Sequence, residues 1–532
     1  MINDGSHTSV LIAGAGPSGL MMAVQLLRYG IQPVIIDSKQ GPTEFSRALA
    51  VQARSLEIYR QAGIVDKALN KGKRARGLNF NSGGNNIASL SLANIGTDQT
   101  AFPFVLFYKQ SSNEHLLLDY LTQNCCPVYW NTSLSSFNQG ENKVDVELSS
   151  GNKSIKITCD WLIGADGAHS TVRKLLNIPF HGATYQSKFY IADVNLNNEE
   201  LSPDEMTGFL AKNGFAGFFP FPESNHFRVM GNLPETNIKD DDLTLNALLP
   251  HIKQVTGLTL AVEKTSWFTI YRLHHRMADR FADQHCFLIG DAAHIHSPVG
   301  GQGMNTGLQD AYNLAWKLAG VINGQYRVNI LESYAAERMP VAKDVLKTTD
   351  RIFSLIISDK WFVNIFKKHL LPKLLRFAWG KNSIKEAFFK RISQTGINYR
   401  HSKLNLHLSH SSKIKAGDRL PYMKLYDEKR EEETDLHAWC AKPGFTLIIF
   451  GKFDELFLFN VARWITMKYN GLLNFYYLPP TGKNLDIFNA FEINPHLQKA
   501  IIVRPDMHIG FINDAVDLKL FDNYLKNLVG VL

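Results

Sequence analysis

Short apolar runs that end at a glycine-rich turn recur three times before residue 320. Residues 9–13 (SVLIA), 161–165 (WLIGA) and 286–289 (CFLI) have the length and apolar character of buried strands. The first run precedes GAGPSG, and each of the other two leads into an acid beside a glycine. Apolar residues at helical spacing follow the first and third turns. The pattern predicts strands that pass into helices through turns where the backbone can approach a ligand closely.

The first of these turns has the spacing of a dinucleotide-binding motif. Gly14, Gly16 and Gly19 lie between a predicted strand and a predicted helix, and the next strand ends at Asp37. In such a βαβ unit the first glycine makes the tight turn, the second admits a pyrophosphate, and the third lets the helix pack on the strand. An acid at the end of the second strand binds ribose hydroxyls. This context favours a dinucleotide site over an ordinary βαβ turn.

Residues 185–275 have a different character, because aromatic, strand-like runs alternate there with turns. The pattern predicts an antiparallel sheet that forms one wall of an apolar pocket. In residues 214–222 (GFAGFFPFP), alternation places Phe219 and Phe221 on one face and Phe218 on the other. One of these two sets is expected to line the pocket.

The last third of the chain predicts a helical connector, a polar linker and an α/β domain in which strands alternate with helices. The helix that begins near residue 331 is expected to break at Pro340. Cys440 is the single cysteine of the α/β domain, so a thiol-redox role is not expected. The predicted division is 1–184 and 276–350 for the dinucleotide-binding part, 185–275 for the sheet domain, 351–400 for the connector, 401–415 for the linker and 416–532 for the α/β domain.

Composition narrows the class of protein. The 532 residues are 45% hydrophobic and 20% charged, as expected of a globular protein, and the formal net charge of +8 is too modest to indicate nucleic acid. Five scattered cysteines, without a CxxC or Cys/His metal spacing, predict no disulfide framework and no metal site. No signal peptide and no apolar stretch of membrane-spanning length is recognised. We therefore expect a cytoplasmic protein, as a monomer or a homodimer.

Three motifs together resemble a known family. GAGPSG with Asp37, GADGAHSTVRK at 164–174 and GDAAHIHSPVGGQGMNTGLQDAYNLAWKLA at 290–319 resemble the flavin motifs of aromatic-ring hydroxylases, single-component FAD monooxygenases with the p-hydroxybenzoate hydroxylase fold. VRPDMHIGF at 503–511 is similar to the end of the phenol hydroxylase, pentachlorophenol monooxygenase and rifampicin monooxygenase branch. The resemblance implies an α/β fold with a Rossmann-like FAD-binding domain, an antiparallel substrate-binding sheet, a helical connector and a C-terminal thioredoxin-like domain.

The resemblance also implies the residues that contact FAD. Asp37 would hold the adenosine ribose, Leu134 would meet the adenine through its backbone, and Asp291 would bind the ribityl chain or the pyrophosphate. Asp166 would support both FAD and the approach of the nicotinamide cofactor. The full set is Gly14, Gly16, Pro17, Ser18, Gly19, Asp37, Arg47, Gln110, Leu134, Asp166, Asp291, Pro298, Gly301, Gly303, Met304 and Asn305.

The chemistry implied by the resemblance belongs to the flavin. NAD(P)H reduces non-covalently bound FAD, O₂ adds to give a C4a-hydroperoxyflavin, and its distal oxygen passes to the electron-rich ring of an aromatic or polyketide-like small molecule. Phe218 and Phe219 are candidates for substrate contact, and no catalytic side chain is identified. In phenol-hydroxylating members an aspartate lies in the stretch that here reads RALAVQAR, where Leu49 stands. This departure favours a larger or already activated ring system.

Two alternatives remain open. A flavoprotein of the same fold could act as a reductase or oxidase without oxygen insertion, and incorporation of ¹⁸O from ¹⁸O₂ would distinguish the two activities. A non-catalytic binding protein could keep the fold, and it would purify colourless and without FAD. The intact glycines and acids of the motifs argue against the second alternative.

We expect the protein to purify yellow with FAD bound non-covalently, because three separate strand ends supply ribose and phosphate contacts. Acid precipitation should release the flavin into the supernatant, where its visible absorbance measures it. Flavin that stays with the precipitated protein would contradict non-covalent binding.

Overall fold

The computed structural model describes most of the chain. The described residues are 2–44, 48–82, 85–92, 95–211, 214–233, 243–297, 299–357, 379–494 and 496–532, with 370, 373–374 and 377 between them. Most of the apolar stretch that the sequence places around 361–370 lies outside these residues. Within the described ranges, no helix combines the length and the apolar character needed to cross a membrane.

An eight-stranded, mostly parallel sheet carries the three sequence motifs. His7–Ala13 lies inside it, between the parallel strands Val34–Ile36 and Lys153–Gly164, and Cys286–Leu288 runs parallel on the far side of Lys153–Gly164. These strands are almost wholly apolar where they pair, as expected for strands covered on both faces. The helices Pro17–Arg28 and Gly303–Ile322 pack against each other beside this sheet.

The register of the parallel strands brings their carboxyl ends to one edge. Ala13 lies beside Ile36 on one neighbour and Gly164 on the other, and Gly164 lies beside Leu288. Each of these four residues is the last of its strand. The turns that carry the motifs therefore start side by side, in the position where open α/β sheets bind ligands.

The remaining elements of this part complete the sheet and cover it. A small sheet is formed by Ala50–Val51, Leu106–Phe107 and Lys73–Arg74. The other elements are the strands Val128–Tyr129, Thr132–Gln139, Val144–Ser150 and Ala282–Asp283 and the helices Ala53–Gln61, Val65–Lys71, Gln110–Gln123 and Thr171–Leu175.

The predicted antiparallel sheet is present and is larger than expected. Its two longest strands, Phe180–Leu196 and Val262–Ala278, cross the predicted boundaries at 185 and 275. Two strands from residues 77–91 also join it, although the sequence placed that segment with the dinucleotide-binding part. In order across the sheet, the strands are His294–Ile295, Val262–Ala278, Phe180–Leu196, His226–Asn232, Gly214–Pro220, Glu205–Ala211, Gly77–Ser82 and Asn85–Ser91. The helix Leu245–Thr256 covers one face.

The predicted break at Pro340 is wrong. The helix Glu332–Ile357 continues through Pro340, since proline removes only one backbone hydrogen bond. Glu337 and Arg338 are paired just before Pro340, and Asp344 pairs with Arg391 just after it. A second helix, Asn382–Ile392, follows in the predicted connector.

The C-terminal part is a separate five-stranded sheet with helices, as the alternating pattern predicted. The predicted linker 401–415 is not structureless, because its strand Leu406–Leu408 pairs with the edge of this sheet. In order, the strands are Leu406–Leu408, Ile509–Asn513, Lys499–Val503, Phe445–Phe450 and Leu473–Leu478. A two-stranded sheet, Lys424–Asp427 with Glu432–Asp435, and the helices Leu436–Trp439, Glu455–Lys468, Leu485–Ala490 and Leu518–Asn523 complete this C-terminal unit.

The two faces of the C-terminal sheet pack into two different hydrophobic cores. Leu447 and Ile502 belong to the same buried cluster as the core of the parallel sheet. Ile448 and Ile501, which alternate with them, pack into a second cluster that belongs to the C-terminal unit alone. The C-terminal unit therefore shares apolar surface with the part that carries the motifs.

We expect Cys440 to be chemically inert. Burial raises the pKa of its thiol to about 12, and all five cysteines are unpaired. Cys440→Ser should leave turnover within about twofold, because a small buried thiol contributes packing at most. Mass spectrometry after iodoacetamide treatment at neutral pH should find label on the exposed Cys125 and none on Cys440. Preferential labelling of Cys440, or a large loss of turnover at unchanged stability, would contradict this.

Candidate functional site

The first glycine turn packs against the end of the second motif strand without room for a side chain. Gly14 has φ +107°, and a Cβ there would stand 2.3 Å from the carbonyl oxygen of Ala165. A Cβ on Gly19 would stand 1.9 Å from the carbonyl oxygen of Gly14. Glycine is therefore required at both positions by close backbone approach, as the motif predicted.

Ser18 joins the first motif to the third. Its hydroxyl oxygen lies 2.3 Å from where a Cβ of Gly290 would stand and 2.2 Å from where a Cβ of Gly307 would stand. Gly290 also has φ +58°, which disfavours other residues. The sequence assigned Ser18 to the pyrophosphate, and the structure also gives its side chain a packing role between two segments almost 300 residues away.

The helix Pro17–Arg28 begins at this junction with open backbone donors. Gly16 is its N-cap and supplies no side chain, and no described atom lies within 4 Å of where a Cβ of Gly16 would stand. A helix start of this kind presents N–H groups and a partial positive charge to an anion. The space beside Gly16 and the proline at the first helical position match the predicted pyrophosphate cradle.

Asp37 organises the turn next to the cradle. Its Oδ2 accepts a hydrogen bond of 2.7 Å from the backbone N–H of Ala15, and its Oδ1 accepts one of 2.8 Å from that of Lys39. The residue is 8% exposed, so the carboxylate is nearly covered. Each carboxylate oxygen can accept more than one hydrogen bond, so this position remains able to bind ribose hydroxyls.

A polar cluster borders a cavity of about 550 Å³ beside Asp37. Gln110 donates to the buried Glu114 at 3.0 Å, and Glu114 accepts from the backbone of Thr43 at 2.8 Å. Lys39 lies 3.9 Å from the same carboxylate. Gln110 thus contacts the cavity wall through Glu114, and its predicted contact with FAD stays a prediction, while Arg47 lies outside the described residues.

Asp166 caps a helix and keeps one oxygen unpaired. Its Oδ2 accepts from the backbone N–H groups of Thr171 and Val172, at 2.7 and 3.1 Å. Its Oδ1 is buried and has no partner among the described residues. Burial raises the pKa of this carboxyl group. An unpaired buried acceptor at the strand edge is the feature that a ligand hydroxyl would satisfy.

The glycine loop of the third motif is fastened by Asn305. This fully buried side chain donates to the carbonyl oxygens of Gly301 and Ala50, at 2.7 and 2.9 Å, and accepts from Gln52 N at 2.9 Å and from Ser55 at 2.7 Å. The sequence placed Asn305 against the flavin ring, whereas its side chain is used entirely within the protein. Its function in the structure is to set the course of the loop.

The glycines in the rest of the loop pack against other residues of the protein. Gly301 has φ +60°, and a Cβ there would stand 2.8 Å from the Cβ of Ala50. Gly303 is the first residue of the following helix, and a Cβ there would stand 3.6 Å from the ring of His296. The sulfur of Met304 accepts a hydrogen bond from the side chain of Asn113. Pro298 lies outside the described residues.

Two residues beside this loop, each with a buried polar atom, were not recognised in the sequence. Gln52 donates to the carbonyl oxygen of Gly300 at 3.0 Å, and its own Oε1 is buried without a described partner. The Nε2 of His296 is likewise buried and unpaired in the described part of the chain, and burial lowers the pKa of this imidazole to about 4. Only the fold reveals them, because neither residue type marks a site by itself.

Behind the turn at Asp291 lies a buried ionic cluster that the sequence also did not predict. Asp310 accepts from the backbone N–H of Gly290 at 3.1 Å, from His294 at 2.7 Å and from Arg338 at 2.7 Å. Burial alone would raise the pKa of Asp310, but the charges of Arg338 and His294 lower it. Asp291 itself is exposed at the edge, which leaves its side chain accessible to a ligand.

Leu134 and the two candidate phenylalanines have distinct positions. Leu134 is 9% exposed in the strand Thr132–Gln139 and belongs to the main core. Phe218 is 1% exposed and packs into the cluster beneath the helix Leu245–Thr256. Phe219 points to the opposite face, is partly exposed, and packs against the core of the motif-bearing part. Phe219 is therefore the better candidate of the two for the pocket wall, because the ring of Phe218 fills the back of the sheet.

The residues present fit FAD. The uncapped helix start beside Gly16, the nearly buried Asp37 and the unpaired oxygen of Asp166 lie at adjacent strand ends. They supply, in turn, N–H donors for a diphosphate and acceptors for sugar or ribityl hydroxyls. In the loop that Asn305 holds, Gly300 is exposed and Gly301 is half-buried, so a flat ring can approach their backbone.

Comparison with known proteins agrees with this fit. A family model described as "FAD binding domain" matches residues 7–349. The 6-methylpretetramide 4-monooxygenase of Streptomyces rimosus is 36% identical over 347 residues, which are 65% of this chain and 62% of that protein. The chain thus spans less than two thirds of that relative.

Two further comparisons cover more of the chain. Pentachlorophenol 4-monooxygenase of Sphingobium chlorophenolicum is 32% identical over 426 residues, which are 79% of this chain and 76% of that protein. Among solved structures, the anhydrotetracycline hydroxylase OxyS from Streptomyces rimosus superposes with a TM-score of 0.77 at 25% identity, over 98% of this chain and 99% of that one. The chain belongs to the FAD binding domain family that includes the single-component aromatic hydroxylases.

Proposed function

We propose that the protein is an FAD-dependent monooxygenase that uses NAD(P)H and O₂ to hydroxylate an aromatic, polyketide-like small molecule. The observation that carries the proposal is the meeting of three motif turns at one sheet edge, where Ser18 packs directly against Gly290 and Gly307. A shared edge of this kind suits a single extended dinucleotide better than separate ligands.

Each part of the edge has a separate task in holding the cofactor. The helix start beside Gly16 binds the diphosphate, and Asp37 and Asp166 accept from hydroxyl groups. The loop fixed by Asn305 offers backbone N–H groups to the electron-rich side of the flavin ring. When bound, FAD supplies the transfer of electrons and the activation of oxygen.

The antiparallel sheet supplies the wall that orients the substrate and excludes water. Phe219 projects from the face turned toward the motif-bearing part, and a Cβ at its neighbour Gly217 would stand 3.0 Å from its ring. An aromatic side chain orients a planar substrate by offset stacking without using the hydroxyl groups of that substrate. Exclusion of water strengthens every electrostatic interaction in such a site.

The proposed substrate class rests on the relatives and on one departure from the family pattern. Relatives are named for 6-methylpretetramide and pentachlorophenol, which are both aromatic. Leu49, which stands where phenol-hydroxylating members have an aspartate, is 7% exposed and apolar. We therefore favour a fused or already activated ring system over a simple phenol.

The finer assignments are proposals of the same kind. The five unpaired cysteines support a cytoplasmic location, and the protein would act as a monomer or a homodimer. The division into an FAD-binding part, a substrate sheet and a C-terminal thioredoxin-like unit is supported by the three large sheets, of eight, eight and five strands.

The test is a screen for aromatic compounds that accelerate NAD(P)H oxidation by the pure protein, followed by mass spectrometry of products made under ¹⁸O₂. One ¹⁸O atom per product molecule is the expected result. Accelerated oxidation with no ¹⁸O in any product, across all compounds that bind, would indicate a reductase or oxidase instead.

Asp291→Ala should weaken FAD binding about ten- to a hundredfold, because a hydrogen bond to a charged acceptor contributes about 1.5–3 kcal/mol. Titration of the apoprotein with FAD, followed by flavin fluorescence, measures the change. Asp145→Ala, which removes an exposed carboxylate far from the motif edge, is the matched control and should bind FAD as the unaltered protein does. Equal affinities for all three proteins would remove Asp291 from the site.

Phe219→Ala and Phe218→Ala should have different effects. The first removes a ring from the proposed pocket wall and should raise KM and release hydrogen peroxide as NAD(P)H oxidation becomes uncoupled. The second empties a buried site and should lower the free energy of unfolding by about 3–5 kcal/mol, with coupling retained. Peroxide yield and thermal unfolding, measured for both variants, decide the assignment. Unchanged coupling and KM in the Phe219 variant would place the pocket elsewhere.

A further inference from the structure

The hairpin tip at residues 504–508 of the C-terminal unit is buried although three of its five residues are ionisable. Arg504 is 1% exposed, Asp506 is 1% exposed and His508 is 3% exposed. The tip is closed by hydrogen bonds from Arg504 N to the carbonyl oxygen of His508 and from Met507 N to that of Arg504. Charged residues are rarely buried to this degree unless they are paired, so their partners define what the tip does.

The charged residues of the tip pair with each other and with residues outside the C-terminal unit. Arg504 donates two hydrogen bonds to Glu337, at 2.6 and 2.8 Å, and also pairs with Asp506. Asp506 accepts from Trp316 at 3.3 Å, and its backbone oxygen accepts from Arg54 at 2.7 Å. The tip is thus inserted among the helices Ala53–Gln61, Gly303–Ile322 and Glu332–Ile357.

Those helices also hold the motif edge. Arg338 follows Glu337 directly, and it donates to Asp310 at 2.7 Å and to the carbonyl oxygen of Thr306 at 3.1 Å. Asp310 in turn accepts from the backbone N–H of Gly290, the residue before Asp291. Adjacent residues of one helix therefore pair with the hairpin tip on one side and with the turn on the other.

A second connection runs parallel to the first. The ring of His508 lies 4.2 Å from that of Tyr399, measured between centroids, and the hydroxyl of Tyr399 accepts from Arg338 at 3.1 Å. Arg338 is therefore positioned from two directions by residues that contact the tip.

We propose that the 504–508 hairpin tip is a positioning element for FAD, which fixes the Gly290–Asp291 turn through Glu337, Arg338 and Asp310. The proposal rests on FAD binding by this chain and extends it to a unit that contributes no residue to the motifs. Arg504 is a positioning residue, since it acts through other residues and does not itself reach the sheet edge.

The first test compares two variants of the full-length protein. Arg504→Lys keeps the charge but cannot bridge Glu337 and Asp506 with a planar guanidinium group. The connection from the hairpin tip to the Gly290–Asp291 turn should therefore become less rigid. Lys499→Met breaks another ion pair of the same unit, in which the buried Lys499 lies 2.9 Å from the half-buried Asp514 and no described contact leads to the motif edge. Both variants should have a lower Tm than the unaltered protein.

FAD affinity separates a positioning role from a structural one. Measured by flavin fluorescence well below either Tm, the FAD dissociation constant should rise about tenfold for Arg504→Lys and stay within about twofold for Lys499→Met. An unchanged constant for Arg504→Lys, or equal increases in both variants, would overturn the proposal. Failure of the unaltered protein to bind FAD would instead refute the cofactor assignment, so the two failures are distinguishable.

Hydrogen exchange tests the same coupling without a substitution, and it decides the matter if Arg504→Lys does not fold. Because coupling between two sites is reciprocal, FAD should slow amide exchange in residues 504–509 severalfold. The strand Phe445–Phe450, in the interior of the same unit, is the internal control and should not change. Equal exchange in the tip with and without FAD would overturn the proposal.

Discussion

The structure depends on backbone contact between segments that are far apart in the chain. Gly14 lies against Ala165, and Ser18 lies against Gly290 and Gly307, at separations that leave no room for a single Cβ. Any substituent would push one strand end away from the others and open the edge at which the ligand groups gather. The glycines are therefore needed for assembly of the site as much as for contact with a cofactor.

The second constraint is the burial of charged side chains in the helices behind the sheet edge that carries the motifs. Glu337 and Asp310 are fully enclosed, and the cationic partners of each lower its pKa although burial opposes this. Such groups gain little net stability over apolar residues of similar size, while loss of one partner is costly. They help to define geometry, because Glu337 pairs with Arg504 of the C-terminal unit and with Lys317, while Asp310 accepts from the backbone N–H of Gly290 and from Arg338.

The sequence predicts the parts of this protein that are encoded locally. Strand ends, glycine turns and Asp37 follow from spacing within about 30 residues, and the alternation that separates Phe218 from Phe219 follows from the strand period. Which of the two rings faces the pocket depends on a helix that covers the other side of the sheet. Glu337, which pairs with Arg504, lies 167 residues away in the helix Glu332–Ile357, and no local pattern distinguishes a buried arginine from a solvated one.

The insertion of the antiparallel sheet into the motif-bearing part has a consequence for synthesis. His7–Ala13 leaves the ribosome first, yet the last strand of its parallel group, Cys286–Leu288, is translated roughly 14–55 s later at about 5–20 residues per second. The hairpin tip at residues 504–508 comes later still. The nascent chain must therefore keep an apolar half-sheet from aggregating while the neighbouring strands are made, and the cofactor can be captured in its final geometry only after the hairpin tip has been translated.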